Sequence, residues 1–421
     1  MSSLFLYRFL TWVALPLVLL RLWYRGLREP GYRLRRGERL GRYGQPAPAA
    51  PLIWVHAVSL GETLAARELV PGLLREYPDH HVLLTSVTAT GHAAAKELFQ
   101  SESRVSLAWL PYDYRIAVQA FLDQFRPRLG IIMETELWPN LLLGCRRRSI
   151  PVMIANARLS ERSAARYALF QGLARSIMSA PALIAAQSEA DAARFRALGA
   201  PRVEVAGNMK FDVAHQPHPA TAELRQRLGA RQVLLAASLR EGEEQLLMEA
   251  WSRRRPDAVL LVIVPRHPQR FAEVAALLRR YDSSLVLRSE NRDVPDACRI
   301  FLGDSMGEMA AYYACCDCAF IGGSLLDYGG QNLIEACAAG VPVLFGPHTY
   351  NFAQAAEEAL VAGAGIRVGT AGQLFEEALA LIHDESRRHA MGEAALAFSR
   401  SHQGATDRIL ELGRGLLAPD S

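Results

Sequence analysis

Leu52-Ile53-Trp54-Val55-His56-Ala57-Val58-Ser59-Leu60-Gly61-Glu62 passes from an apolar, β-rich segment through a loop carrying Ser59 and Gly61 into a helix that starts near Glu62. The same alternation continues outward. Apolar runs at Val82–Ser86, Val105–Leu110, Leu129–Met133, Val152–Asn156 and Ala182–Ala186 are separated by helical patterns such as Glu62–Glu76 and Ala164–Met178. A second series comprises Val233–Ala237, Val259–Val264, Leu285–Leu287, Cys318–Ile321 and Val341–Phe345. Such alternation is the signature of βαβ units and parallel sheets. The sequence therefore predicts an α/β protein of two Rossmann-like domains facing a cleft. A length of 421 residues, half of them apolar, suits two cores better than one. No period of 20–50 residues repeats, which excludes a solenoid.

The predicted organisation is an anchor at 1–24, a basic juxtamembrane segment at 25–50 and an N-terminal domain at 51–206. A linker rich in turn formers at 207–220, a C-terminal domain at 221–400 and a helix at 401–421, placed to pack back on the N-terminal domain, complete it. The anchor rests on the apolar stretch Leu4–Leu20, interrupted by Arg8 and Pro16 and flanked by Trp12, Trp23 and Tyr24. Eight arginines lie between Arg21 and Arg42, against Glu29 and Glu38. A cationic segment after an apolar one predicts a single retained anchor, with the domains cytoplasmic and the arginines on anionic headgroups. A cleaved signal peptide is disfavoured, because arginines and aromatics follow the run instead of a small-residue cleavage site.

A net charge of +4 does not suggest a nucleic-acid binder, and the arginine excess (Lys96 and Lys210 are the only lysines) reflects base composition. The six cysteines lack CxxC spacing and read as reduced, buried thiols.

The distinctive residues fall at the ends of the predicted strands, where ligands bind in such sheets. Glu62 in a first helical turn is stabilised as an anion by the free N–H groups and the dipole, which suits a proton acceptor; it also suits a residue that merely offsets the dipole. Glu134 and Glu136 follow Met133 beside Trp138 and Pro139, and Arg158 follows Asn156-Ala157. In the second half Arg266 and His267 close an apolar strand, and Arg266 can pair with a phosphate. Ser305 and Glu308 have capping-box spacing, with Met306 and Gly307 between them. The pair Gly322-Gly323 before Ser324, and Gly329-Gly330 before Gln331, Asn332 and Glu335, would leave N–H groups bare for phosphate, with Glu335 on ribose hydroxyls. Asn332 and Glu335 also fit an N-cap and its partner. There is no Walker A sequence, no Gly-x-Gly-x-x-Gly after the first strand and no Asp-x-Asp.

Taken in order, these segments resemble the Kdo (3-deoxy-D-manno-octulosonic acid) transferases, inverting enzymes of the two-Rossmann GT-B fold. The resemblance runs nearly end to end: His56 to Glu62, Glu134 to Asn140, Asn156 to Ser160, Gly207-Asn208-Met209-Lys210-Phe211-Asp212, Val264 to Pro268, Met306-Gly307-Glu308, Gly322 to Glu335 and Gly346-Pro347-His348. It implies that Glu62 is the base and Glu136 a second important acid. Arg266, His267, Met306, Gly307, Glu308, Gly323, Ser324, Asn332 and Glu335 are then expected around CMP-Kdo, with Ser59, Gly61, Arg158, Lys210 and Gln331 as further candidates. Gln331 stands where many members have His, and Leu239-Arg240 where Thr-His is more usual. The implied reaction is direct displacement of CMP by a hydroxyl of a lipid A precursor at the inner-membrane surface, with domain closure excluding water and neither cofactor nor metal required. The rivals are a UDP-sugar transferase or epimerase, and a non-catalytic membrane scaffold.

Overall fold

The computed structural model describes residues 2–212, 218–254 and 258–417. The first series of runs forms β1 (Leu52–His56), β2 (His81–Ser86), β3 (Val105–Trp109), β4 (Leu129–Met133), β5 (Val152–Ala157) and β6 (Leu183–Ala186), and the short β7 (Val203–Val205), outside those runs, follows them. The second forms β8 (Gln232–Leu239), β9 (Val259–Pro265), β10 (Val286–Leu287), β12 (Cys318–Ile321) and β13 (Val343–Phe345), with β11 (Ile300–Leu302) and β14 (Gly365–Arg367) added outside its runs. Each series makes a seven-stranded sheet, ordered β3-β2-β1-β4-β5-β6-β7 and β10-β11-β9-β8-β12-β13-β14, and every pairing is parallel. The strand order reverses between β1 and β4 in one sheet and between β8 and β12 in the other. Those two points are where doubly wound sheets bind ligands.

Alternation sets the core of the first sheet. Leu52 and Trp54 feed one apolar layer and Ile53 and Val55 the opposite one, all buried. Trp54 lies in register with Leu83 on one neighbour and Gly130 on the other. A Cβ at Gly130 would stand 2.9 Å from the Trp54 ring, so that strand position must be glycine.

The chain divides into two units, residues 1–212 with 403–421, and residues 213–402. The first takes its last helix, Ala405–Arg414, from beyond the second. Asp212 holds the start of that helix by accepting the N–H groups of Gly404 at 2.6 Å, Ala405 at 3.2 Å and Thr406. Ala405, Ile409 and Leu410 then join the core that contains Leu69 and Leu73.

Two helical patterns break where the sequence reads as continuous. Glu62–Glu76 is the pair Leu60–Ala65 and Leu69–Glu76, and the break turns Leu69 and Val70 into the core. Ala164–Met178 is the pair Glu161–Ala168 and Gln171–Met178, with Leu169 and Phe170 exposed between them.

The helix Ser2–Arg28 is long and apolar enough to cross a membrane, its most apolar 18-residue stretch having a mean hydropathy of 1.8. The basic segment after it is less free than its composition suggests. Arg39 is buried, donating to the Val87 carbonyl at 2.9 Å and lying 4.0 Å over the Trp109 ring. Arg35 donates to the Leu107 carbonyl at 3.0 Å, and Glu38 accepts the Trp109 N–H at 2.9 Å. Arg35 and Arg39 are thus engaged by the domain.

Candidate functional site

At the end of β1 the chain turns through Val58 and Ser59 into the short helix Leu60–Ala65. Ser59 caps it, its hydroxyl oxygen accepting the Glu62 N–H at 3.4 Å. The Glu62 carboxylate reaches back, accepting the Val58 N–H at 2.7 Å and the Ser59 hydroxyl at 3.0 Å. This is capping geometry, which by itself gives the carboxylate a local use. Its environment adds something else. Glu62 is 7% exposed, and burial pushes its pKa up to about 8. The negative charges of Glu134 and Glu136 add to that rise, against the Val58 N–H and the Ser59 hydroxyl. The expectation of an anion held by the helix start is therefore corrected: two hydrogen bonds and one short helix do not offset desolvation and two like charges. Gly61 beside it is exposed, and a Cβ there would meet nothing nearer than the Ser59 hydroxyl at 4.0 Å. The approach to the start of this helix is open.

The raised pKa has two opposite consequences with pH. A carboxylate with this pKa is mostly protonated below about pH 8, so any reaction that needs Glu62 to take a proton is expected to speed up about tenfold per pH unit up to that value and then level. As a folded-state acid whose pKa lies above its ordinary 4.5, it contributes stability that is complete below pH 4.5 and lost as pH rises through about 8. A pH–rate profile and thermal unfolding over the same range check both. A rate flat from pH 6 to 9 would contradict the first.

Neighbouring strand ends supply the rest of the cluster. Glu134 follows β4 with φ +56° and forms an ion pair with Lys210 at 3.3 Å. Burial raises the Glu136 pKa, with Trp138 opposing and Glu134 reinforcing. The Thr135 hydroxyl donates to the Arg158 carbonyl, joining the loop after β4 to the loop after β5. Asn156, buried with φ +54°, accepts the Met209 N–H at 3.1 Å and so seats the turn that presents Lys210. Carboxylates this close to one another are a common mark of functional sites.

In the second unit, Arg266 and His267 follow β9 and are exposed. Burial lowers the His267 pKa, and the charges of Arg240, Arg266 and Arg270 lower it further. Glu335 is solvent-accessible, yet the protein around it raises its pKa, opposed by Asn332 and by the charge of Arg266. Asn332 donates to Glu335 at 2.9 Å and accepts the Ile334 N–H at 3.1 Å. Arg266, Asn332 and Glu335 are thus neighbours at the ends of β9 and β12. Met306 is exposed and Gly307 has φ +82°, while Glu308 is gripped by Arg288 at 2.9 and 3.0 Å and by the Ser305 hydroxyl at 2.5 Å. The helix begins only at Met309, so Ser305 and Glu308 do not form the capping box their spacing suggests.

The glycine pairs are not bare. The buried Glu243 carboxylate accepts the N–H groups of Gly323 at 2.6 Å, Arg240 at 2.9 Å and Leu325 at 3.1 Å. Ser324 is buried; its hydroxyl donates to the Ile321 carbonyl and accepts the Gly346 N–H at 2.8 Å. The Gly330 N–H goes to the Gly323 carbonyl at 2.7 Å and that of Gln331 to the Gly322 carbonyl at 3.0 Å. In place of a ready phosphate nest, the structure has a loop cross-braced by its own polar groups. Glu243 went unread because Glu241-Gly242-Glu243-Glu244 looks like ordinary acidity at a helix start. Gln331 and Arg240 meet here: a Cβ at Gly323 would stand 3.1 Å from the Gln331 amide and 3.2 Å from the Arg240 side chain. Among the described residues, no three His, Cys, Asp or Glu side chains gather as metal ligands.

The profile of the family described as 3-Deoxy-D-manno-octulosonic-acid transferase (kdotransferase) matches residues 34–213, and that of Glycosyl transferases group 1 matches residues 237–398. A 3-deoxy-D-manno-octulosonic acid transferase of Bordetella pertussis is 43% identical, covering 94% of this chain and 95% of its own. The Haemophilus influenzae transferase of the same name is 35% identical over 97% of each. Among solved structures, UDP-GlcNAc 2-epimerase from Neisseria meningitidis bound to UDP-GlcNAc is similar with a TM-score of 0.62, at 15% identity over 87% of this chain and all of its own. That likeness concerns fold alone. With the two parallel sheets and the carboxylate cluster in place, the chain belongs to the 3-deoxy-D-manno-octulosonic acid transferase family and is a glycosyltransferase.

Proposed function

We propose that this enzyme moves Kdo from CMP-Kdo to a lipid A precursor at the cytoplasmic face of a bacterial inner membrane, with inversion, using Glu62 as general base. The observation that carries the reading is Glu62 itself: a buried carboxylate at the β1 end, beside Glu134 and Glu136, with its pKa raised into the working range and open space at Gly61. The acceptor hydroxyl gives its proton to Glu62 as its oxygen bonds to the anomeric carbon. The bond from that carbon to the CMP phosphate oxygen breaks, and CMP leaves with the electron pair. Charge builds on the sugar as an oxocarbenium-like centre, as it does in glycoside hydrolysis. The negative charge of Glu136 makes Glu62 a stronger base, at the cost of keeping it protonated until the pH nears its raised pKa. Lys210, by pairing with Glu134, limits the negative charge around the base.

Arg266 is the proposed partner of the donor phosphate, with Asn332 and Glu335 on the ribose and the loop Met306 to Glu308 beside the base. Gly323 and Ser324 then act by shaping the loop, since their polar groups are already engaged. The test incubates purified protein with CMP-Kdo and a lipid A precursor, identifying lipid products by mass and measuring CMP release. CMP at a hundred times its Kd is expected to stabilise the protein by about 2.7 kcal/mol, and UDP by far less. Protection by UDP-sugars in place of CMP, with no Kdo-bearing lipid, would overturn the reading in favour of a UDP-sugar enzyme.

A further inference from the structure

The N-terminal helix is held to its own α/β unit at both ends. Near its start, the Tyr7 hydroxyl donates to the Asp113 carboxylate at 2.8 Å, and the Arg8 guanidinium donates to Asn140 at 2.8 Å. Asp113 is buried and also accepts the N–H groups of Asn140 and Leu141, both at 2.9 Å. Trp12 packs on Tyr114 with ring centroids 5.7 Å apart. At the other end Leu22 is buried, and Arg25 donates to the buried Tyr32 hydroxyl at 3.1 Å. A helix of 27 residues is about 40 Å long, and hydrocarbon about 30 Å thick separates the two faces of a bilayer. One water-facing unit cannot bond both ends of a helix that crosses.

The pattern along the helix agrees. Tyr7, Thr11, Leu15, Val18 and Leu22, three or four residues apart, are partly or fully covered. Phe5, Phe9, Val13, Leu17 and Leu20 are exposed on the other side. Beside the start of the helix, where Gly172 approaches Ser3, the turn before Gln171–Met178 exposes Leu169 and Phe170 between the exposed Arg162, Arg166 and Arg175. An apolar face of this hydropathy, rimmed by arginines, matches acyl chains under anionic headgroups.

We infer that this helix lies flat in one leaflet, its outer face and the Leu169–Phe170 turn forming a single lipid-contacting surface, and that it does not span the bilayer. The proposed function supplies only the identity of the covering layer; the flat placement comes from the hydrogen bonds. It has a consequence for the site. Asn140 lies in the first turn of the helix that follows Glu136, Pro139–Arg147, so the leaflet-bound element is bonded to the end of the acidic loop and sets its depth relative to the lipid.

The test uses the full chain carrying Ser3→Cys in Gram-negative cells. Of the native cysteines only Cys316 is not fully buried. An impermeant maleimide added to intact spheroplasts is expected to leave Cys-substituted Ser3 unlabelled, and to label it after lysis in denaturant. Labelling from outside intact spheroplasts would overturn the proposal by putting that end across the membrane. Purified protein is expected to float with phosphatidylglycerol-containing vesicles, and less so once Leu169→Asp and Phe170→Asp are introduced. A detergent-free dimer that does not float would overturn it too, assigning the face to a second copy. Kdo transfer is measured on the same preparations: its absence beside a protected Ser3→Cys would count against the function and leave the placement intact.

Discussion

Replacing Glu62 by Gln is expected to lower Kdo transfer by about 10²–10⁴-fold, the usual worth of a general base, with little change in thermal stability. The amide has nearly the shape of the carboxyl group, and its oxygen can still accept the Val58 N–H that holds the helix start. What it cannot do is take the acceptor proton. Single-turnover transfer with bound donor, set beside the unfolding temperature and protection by CMP, separates the two uses of this side chain. If Gln kept near-normal turnover, the residue would be a helix cap alone. A parallel collapse of stability and activity would likewise point to a structural part. The expected pattern has one more signature: the residual rate of the variant should lose the rise towards pH 8 that the parent shows.

The second large effect lies in the other unit and concerns folding. Glu243→Ala is expected to destabilise it by about 3–5 kcal/mol, the range seen when a buried polar network loses one member. Three N–H groups, the buried one of Gly323 and the partly buried ones of Arg240 and Leu325, lose their shared acceptor at once. For a unit of this size the unfolding temperature should fall by roughly 6–20 °C. Because the protein has two units, the transition has to be followed with a probe in the second, such as Trp251 fluorescence. An unfolding temperature equal to the parent's would mean that water replaces the carboxylate at no cost, and that the loop is not braced from within. Donor protection should weaken alongside, since the braced loop leads into Asn332 and Glu335.

Much of this architecture can be read along the chain because buried parallel strands are nearly unbroken apolar runs. β1, β4 and β12 stand where Leu52–His56, Leu129–Met133 and Cys318–Ile321 announce them. β7, β11 and β14 are three residues each, and Val203-Glu204-Val205 and Gly365-Ile366-Arg367 include a polar residue or glycine; pattern cannot find these, and only a neighbouring strand makes them strands. The carboxylates of the site are equally legible in position, because strand ends are. Their protonation is not. Glu62 reads as an anion from its own segment, while its raised pKa comes from burial and from Glu134 and Glu136, more than seventy residues away. Glu243 fails the other way, since its neighbours in sequence give no hint of the glycine loop eighty residues on that it serves.

The carboxylate of Asp212 and the helix it starts, Ala405–Arg414, also bear on synthesis. Leu69 and Leu73 lie in a core cluster that Ala405, Ile409 and Leu410 complete. A nascent chain emerges from the ribosome in order, and domains ordinarily close as they appear. Here the earliest unit stays unfinished, with an oily flank uncovered, until nearly two hundred further residues have been made. On the flat placement inferred above, that delay would give the N-terminal helix time to reach lipid before its own domain has closed.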